Sequence, residues 1–299
     1  MSAVLQKHAL SAGLLPQYPV FDCIFIGGTL ALALGLGGVA SISPAMLIVV
    51  VLVDIWLFAN PHLVATFTRI AGSAADIRKH CFLIFGLPVI VLGALVAIAL
   101  AYEVAGLFTL YFVAQGYHVA RQSFGIVRAY RRSGLNPLRP DMLTEALVYL
   151  IPLWGLLVRC AEAPTDFLGY PIQLPAVSVQ MAEAVGLVAI VCSGCWLWRQ
   201  GRVALSGQID WRHDCFVASH VCVCLVAYLW IADITLGWLV INLWHNLQYL
   251  LFVWMKNLRR DQQVLGYRVL EGMWESAVRY GSLCLLLGGV LYLAVDWVG

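Results

Sequence analysis

The chain has 299 residues, of which 62% are hydrophobic and 11% are charged, whereas soluble domains carry about 25% charged residues. This composition excludes an ordinary soluble fold and predicts an integral membrane protein. The 18 Lys and Arg residues face 16 Asp and Glu residues, so no basic excess exists to neutralise a phosphate backbone, and nucleic acid is not the expected partner. Most of the nine cysteines lie in apolar runs, which argues against a disulfide framework.

Nine apolar segments are long enough to cross a bilayer as helices, which takes about 20 residues each. They lie near 21–41, 44–68, 81–102, 105–130, 142–160, 177–198, 214–232, 235–257 and 275–297. The sequence therefore predicts an all-α, polytopic transmembrane bundle that forms a single domain over residues 1–299. The proline-containing segment at about 161–176 is the longest outer loop and could cap the bundle.

Basic residues predict the orientation of these spans under the positive-inside rule. With the N-terminus in the cytoplasm, sixteen Lys and Arg residues fall on the cytoplasmic side or in the cytoplasmic ends of spans, among them Lys7, Arg139 and Arg268. Arg159 falls outside, and Arg121 lies within the fourth span. We therefore expect a cytoplasmic N-terminus and an external C-terminus, in a bacterial inner membrane.

Four histidines lie inside predicted spans, namely His62, His118, His220 and His245. At about 1.5 Å per helical residue, all four lie roughly 10–17 Å from the cytoplasmic boundary, although their helices run in both directions. An ionisable residue at such a depth is costly and marks a functional site by default. The shared depth predicts one common site, whereas His8, His80 and His213 lie at or outside the cytoplasmic interface.

Polar residues share the helix faces of these histidines, because positions three, four or seven residues apart lie on one face. Such stripes cannot face lipid, so their helices should pack around a polar interior. Neutral imidazole is the commonest ligand for Fe, Zn and Cu, and amides, hydroxyls and carboxylates orient the ligating rings. The residues available for that orienting role are Gln115, Gln122, Asn242, Gln248, Tyr249 and Asp54.

The pattern thus predicts a metal site with His62, His118, His220 and His245 as ligands. Arg121, Gln122, Gln248 and Tyr249 are the residues expected to position substrate or oxygen. A ligand set without a thiolate or an obvious carboxylate suits Fe(II), Zn(II) or Cu. A proton or substrate pathway and purely structural roles remain alternatives for the histidines. Arg121 could equally snorkel to the interface, and Asp54 could pair with His or Arg, accept a proton, or form an interhelical hydrogen bond.

The segments NPHLVATFTR, YHVARQSFGIVRAYRR and WHNLQYLLFVW resemble parts of an uncharacterised family of bacterial multi-span membrane proteins. In architecture the chain resembles the Brp/Blh family of membrane β-carotene dioxygenases. This second resemblance implies that histidines from several helices hold one iron ion and that the reaction is oxidative and acts on an isoprenoid. The architecture is also similar to zinc hydrolases of the alkaline ceramidase type, but the absence of an obvious Asp or Glu base beside these histidines counts against that resemblance.

We therefore expect a membrane-embedded, metal-dependent oxidoreductase, namely a non-haem iron oxygenase that uses O₂ on an apolar lipid or isoprenoid substrate. The alternatives are an electron-transfer protein that uses haem b or a quinone, a membrane zinc hydrolase, and a transporter. The partners expected from the sequence are the lipid bilayer and the apolar substrate, and the protein could form a homo-oligomer.

Overall fold

The computed structural model describes residues 19–133, 141–207, 209–265 and 273–298. Almost all regular structure in these ranges is helical, which confirms the all-α prediction. Within them, six segments are long and apolar enough to cross a membrane: Pro19–Ala40, Pro44–Ile70, Phe82–Arg131, Met142–Glu162, Val179–Leu205 and Trp211–Trp230. The count of nine spans and their orientation stay predictions, and Lys7, His8, Arg139 and Arg268 lie outside the described residues.

The helices are numbered here in chain order. They are α1 (Pro19–Ala40), α2 (Pro44–Ile70), α3 (Ala74–Lys79), α4 (Leu87–Ser133), α5 (Met142–Glu162), α6 (Val179–Leu205), α7 (Trp211–Trp230), α8 (Ile234–Leu265) and α9 (Met273–Val298). A short hairpin of β1 (Asp166–Phe167) and β2 (Tyr170–Pro171) lies between α5 and α6. A π-helical turn, Phe82–Gly86, leads into α4, and others lie within α1 (Ile24–Gly28), α2 (Ile55–Ala59) and α7 (Val226–Trp230).

Contacts divide the chain into two compact units. The first comprises Met1–Leu34 and Val104–Ile241, and the second comprises Gly35–Glu103 and Asn242–Gly299. Helix α4 passes from one unit to the other at Glu103, where φ is 55° and the helix is interrupted. This break lies between the two spans predicted at 81–102 and 105–130.

In the first unit, α5 packs between α6 and α7. It runs antiparallel to α6, because Asp141 contacts Arg199 at one end and Trp154 lies against Gly186 further along. It runs parallel to α7, because Val148 contacts His220 and Arg159 contacts Ile231. These are the relative directions expected of alternating fifth, sixth and seventh spans.

In the second unit, α2 packs on both α8 and α9. It runs parallel to α8, since Asp54 contacts Asn242 and Thr68 contacts Asn257. It runs antiparallel to α9, where Trp56 packs on Tyr292 at one end and Thr68 on Tyr280 at the other. The alternation of spans predicts the same directions for the second, eighth and ninth spans.

Aromatic side chains hold the hairpin against the helices of the first unit, with Tyr170 stacked on Phe108 at a centroid distance of 4.5 Å. Phe167 is fully buried, and its ring packs against Phe112 and Trp238 at centroid distances of 5.3 and 5.6 Å. The backbone N–H of Leu168 donates to the hydroxyl of Thr235 at 2.9 Å. The outer loop expected from the sequence is thus anchored to α4 and α8.

Candidate metal-binding site

Two of the four predicted ligands meet where α2 and α8 pack in the second unit. The rings of His62 and His245 have their centroids 4.9 Å apart, with 42° between their planes. One ligand nitrogen of each lies within 4.8 Å of the other. His245 is buried and His62 is half-buried, so a pair of imidazoles sits largely inside a helix interface.

The ring of Tyr249 packs beside the His62 ring of this pair. Its ring centroid lies 4.4 Å from that of His62, one turn of α8 beyond His245. The hydroxyl of Thr66 donates to the Tyr249 hydroxyl at 3.2 Å. Since Thr66 follows His62 by one turn of α2, both contacts to the phenol come from the same face of α2. Tyr249 thus lies beside His62, and its role in positioning substrate or oxygen stays a prediction.

Asp54 lies on the same interface, two turns before His62, and it is almost fully buried. Its carboxylate accepts a hydrogen bond from the side-chain amide of Asn242 at 2.5 Å and another from that of Asn246 at 3.1 Å. Each carboxylate oxygen therefore has an amide donor. Of the readings that the sequence left open for Asp54, the observed contacts support the interhelical hydrogen bond.

The π-helical turn Ile55–Ala59 explains how Asp54 and His62 can face the same partner. In a regular α-helix, residues eight apart point about 80° away from each other. A π turn absorbs one extra residue, which leaves an offset of about 20°. The turn thus aligns the carboxylate and the imidazole along a single face of α2.

A further polar contact extends this interface beyond the histidines. Asn257 of α8 donates to the Thr68 hydroxyl at 3.3 Å, and the same hydroxyl lies 3.1 Å from that of Tyr280 on α9. Sequence reasoning assigned no role to these three residues or to Asn246. The spacing of Asn242 and Asn246, four residues apart on one helix face, was the available signal for the second amide.

The other predicted site residues on α4 belong to the first unit. His118 is exposed, and Gln122 is partly buried. The Arg121 guanidinium lies over the ring of Phe124, 5.1 Å from its centroid, which is a cation–π contact. The assignment of His118 as a ligand, and of Arg121 and Gln122 as positioning residues, stays a prediction.

His220 is fully buried in the first unit, where its Nε2 lies 3.1 Å from the Val148 carbonyl oxygen. The Sγ of Cys224, one turn later, is 3.9 Å from the same nitrogen. A ring nitrogen that donates to a carbonyl is not available to a metal in that tautomer. The contacts of His220 therefore match helix packing, and its role as a ligand stays a prediction. Gln248, in the second unit, is buried on α8.

Comparison with known proteins gives no match to a family, to a curated protein or to a solved structure. The chemistry of the site is therefore argued from its residues alone. Two imidazoles, a phenol and a threonine hydroxyl converge on one helix interface of the second unit, and neutral imidazole is a ligand for Fe, Zn and Cu.

Proposed function

We propose that the protein is a membrane-embedded, metal-dependent oxidoreductase in which His62 and His245 are two ligands of one iron ion. The observation that supports this proposal is the 4.9 Å approach of the two imidazole rings. Histidines are rare inside membrane spans, and a pair of them in contact is rarer because each must be shielded from lipid.

The ring separation suits a single bare ion. With metal–nitrogen bonds of about 2 Å, two imidazoles in neighbouring positions of a tetrahedral or octahedral ion have their centroids about 4 to 5 Å apart. Two imidazoles on opposite faces of a haem would be further apart, because the iron lies on the line between them. The distance of 4.9 Å thus favours a bare ion over a haem held by this pair.

The donor set favours iron, zinc or copper over harder ions. Both donors are imidazoles, and the nearby carboxylate of Asp54 is engaged by two amides. Two protein ligands are fewer than the three or four that such ions usually take. The proposal rests on the His62 and His245 pair, and the sequence-based assignment of His118 and His220 as further ligands stays a prediction.

The residues around the pair have separate tasks in the proposed reaction. Iron, when bound, would supply the redox chemistry of O₂. Thr66 holds the Tyr249 hydroxyl, so that the phenol keeps one orientation beside His62. Leu63 and Phe67, which follow His62 on α2, are exposed and apolar. An apolar lipid or isoprenoid substrate would therefore meet a hydrocarbon-like surface next to the site.

Metal analysis of the purified protein tests the proposal. We expect about one iron per chain in the wild type and at least a tenfold lower content in His62→Ala and His245→Ala, since each variant removes a proposed ligand. His80→Ala is the matched control, because His80 lies after α3 and its Nδ1 contacts the Asp76 carbonyl. His118→Ala and His220→Ala test separately whether either of these histidines affects metal content, as the sequence predicts.

Three results would overturn the proposal. They are a wild type without stoichiometric metal, metal content that is unchanged in both His62→Ala and His245→Ala, and a Soret absorption band that reveals haem. Stoichiometric zinc without iron would support the hydrolase alternative in place of oxygen chemistry. For iron-loaded protein, uptake of O₂ on addition of a carotenoid in detergent tests the reaction, and His62→Ala should abolish that uptake.

A further inference from the structure

A groove lies between α5 and α6 in the first unit. Its volume is about 540 Å³, and its lining is apolar except for two carboxylates, Glu162 and Glu183. The apolar lining includes Trp154, Val158, Leu187 and Ile190. Nothing in the proposed iron chemistry uses this groove.

Gly186 and Trp154 form the floor of the groove. A Cβ atom on Gly186 would lie 2.4 Å from Nε1 of Trp154, so the indole lies directly on the backbone of α6. On the same helix, Leu187 and Ile190 are exposed to 64% and 57%. The groove therefore opens toward the surface that α6 would present to lipid.

The carboxylates lie at one end of the groove and the apolar residues extend from it. Because α5 and α6 are antiparallel, Glu162 at the end of α5 and Glu183 near the start of α6 both lie toward the loop that joins the helices. Ile190 follows Glu183 by seven residues, which corresponds to about 10 Å along the helix axis. The groove is thus amphipathic along its length.

The charge at this end is negative. Glu162 is paired with Arg159 at 2.7 Å, and Arg159 is itself buried. Glu183 is exposed and forms no ion pair within the described ranges of the chain. An anionic group placed there would be repelled, whereas an ammonium group would be attracted to Glu183.

We propose that this groove binds a bilayer phospholipid with an ammonium headgroup, such as phosphatidylethanolamine. The ammonium group would lie beside Glu183, and one acyl chain would run along Leu187 and Ile190 over the indole of Trp154. Apolar contact supplies the affinity, and the carboxylate supplies the preference for headgroup charge.

Native mass spectrometry of the full chain in detergent tests this assignment, with phosphatidylethanolamine and phosphatidylglycerol of identical acyl chains as probes. We expect the wild type to retain phosphatidylethanolamine in preference to phosphatidylglycerol. Glu183→Gln should reduce that preference about twofold to fivefold, the range expected for an exposed ion pair. Glu275→Gln removes an exposed carboxylate of α9 and should leave the preference unchanged.

A second pair of variants tests the acyl-chain part of the groove. Leu187→Trp fills it and should lower retention of both lipids, whereas Val188→Trp, on a neighbouring exposed position that does not line the groove, should not. The proposal is overturned if the wild type shows no headgroup preference, if Glu183→Gln keeps the wild-type ratio, or if Leu187→Trp and Val188→Trp retain lipid equally.

Discussion

The two units of this protein place their polar contacts differently. In the first unit the ion pairs lie at helix ends, as in the contacts of Asp141 with Arg199 and of Arg159 with Glu162. The middle of that unit is held by close packing, with Gly155 against Tyr228. In the second unit, polar contacts between α2 and α8 continue through the middle of both helices, from Asp54 to Thr68.

This difference separates polar groups that stabilise helix ends from polar groups that form a site. Ends of spans lie near water and headgroups, where a charge costs little. Placing a carboxylate and two imidazoles in the middle of spans costs free energy, and close packing of the helices does not require such groups there. We therefore expect substitution of the ion-paired and close-packed residues of the first unit to act on stability, and substitution of His62 or His245 in the second unit to lower metal content as well.

The largest expected effect on stability is that of Arg159→Met. The buried guanidinium donates to the carbonyl oxygens of Ile231 and Ala232 at the end of α7, as well as to Glu162. Its removal leaves these acceptors unpaired and should lower the free energy of unfolding by about 3 kcal/mol. Denaturant unfolding in detergent measures this change. Arg279→Met, which breaks an exposed pair with Glu275, should have almost no effect, and equal losses would contradict the prediction.

Gly155→Ala tests close packing in the middle of the first unit. An added Cβ would lie 2.4 Å from the Cβ of Tyr228, so α5 and α7 would have to separate. We expect a loss of about 2 kcal/mol in unfolding free energy. Gly194→Ala is the control, since nothing lies within 4 Å of its added Cβ, and it should be neutral or stabilising. A neutral Gly155→Ala would show that this interface is loose.

Asp54→Asn tests the polar interface of the second unit. The substitution leaves one oxygen to accept from the two amides of Asn242 and Asn246, so one charge-assisted hydrogen bond becomes a neutral one and the other is lost, at a cost of about 1 to 2 kcal/mol. Metal content should stay within about twofold of the wild type, because the amides occupy this carboxylate and we do not propose it as a ligand. A loss of metal as large as that of His62→Ala would make Asp54 part of the metal site.

The smallest expected effect is the part of the pH dependence of unfolding that comes from Asp141 in the first unit. Burial tends to raise the pKa of Asp141, but hydrogen bonds from Arg199 and Thr144 outweigh it and hold the pKa at about 2. A depressed carboxyl pKa stabilises the fold above the ordinary value of 3.8 and loses that contribution as the pH falls toward 2. Because the Arg199 side chain is about a third exposed, we expect this contribution to the free energy of unfolding to be only about 1 kcal/mol.

Unfolding measured between pH 6 and pH 2 checks this dependence. Asp141→Asn should remove the Asp141 contribution and flatten the curve between pH 4 and 2, relative to the wild type. Asp76→Asn, at the exposed start of α3, serves as the comparison. A curve for Asp141→Asn that keeps the wild-type slope would show that other carboxyl groups govern acid stability.

Much of the helical layout follows from apolar length alone. The predicted segments 142–160 and 177–198 correspond to α5 and α6, because a span needs a continuous apolar run and these runs end at Arg159 and Arg199. The break at Glu103 also lies between the two spans that the sequence predicts at 81–102 and 105–130. The relative directions of helices within each unit follow from alternation, which requires no knowledge of side-chain contacts.

The site was only partly predictable, because depth along a helix does not determine direction around it. His62 and His245 share a depth and also meet, whereas His220 has a similar depth and contacts a backbone carbonyl. The π turn before His62 rotates its face, and no residue pattern in IWLFA announces such a turn. Thr66 contacts the Tyr249 hydroxyl, which is 183 residues away in the sequence. The local pattern around His62 therefore could not predict the role of Thr66.

The parallel pairing of α2 and α8 sets an order of events during synthesis. Thr66 and Tyr249 are 183 residues apart, so a ribosome that adds about 5–20 residues per second needs about 10 to 40 s to reach the second after the first. Throughout that interval α2 lacks its partner amides and imidazole. If α2 inserts as a span, its most apolar 18-residue stretch, with a mean hydropathy of 2.1, has to carry Asp54 and His62 into the membrane unaided, and the proposed iron site can form only late in translation.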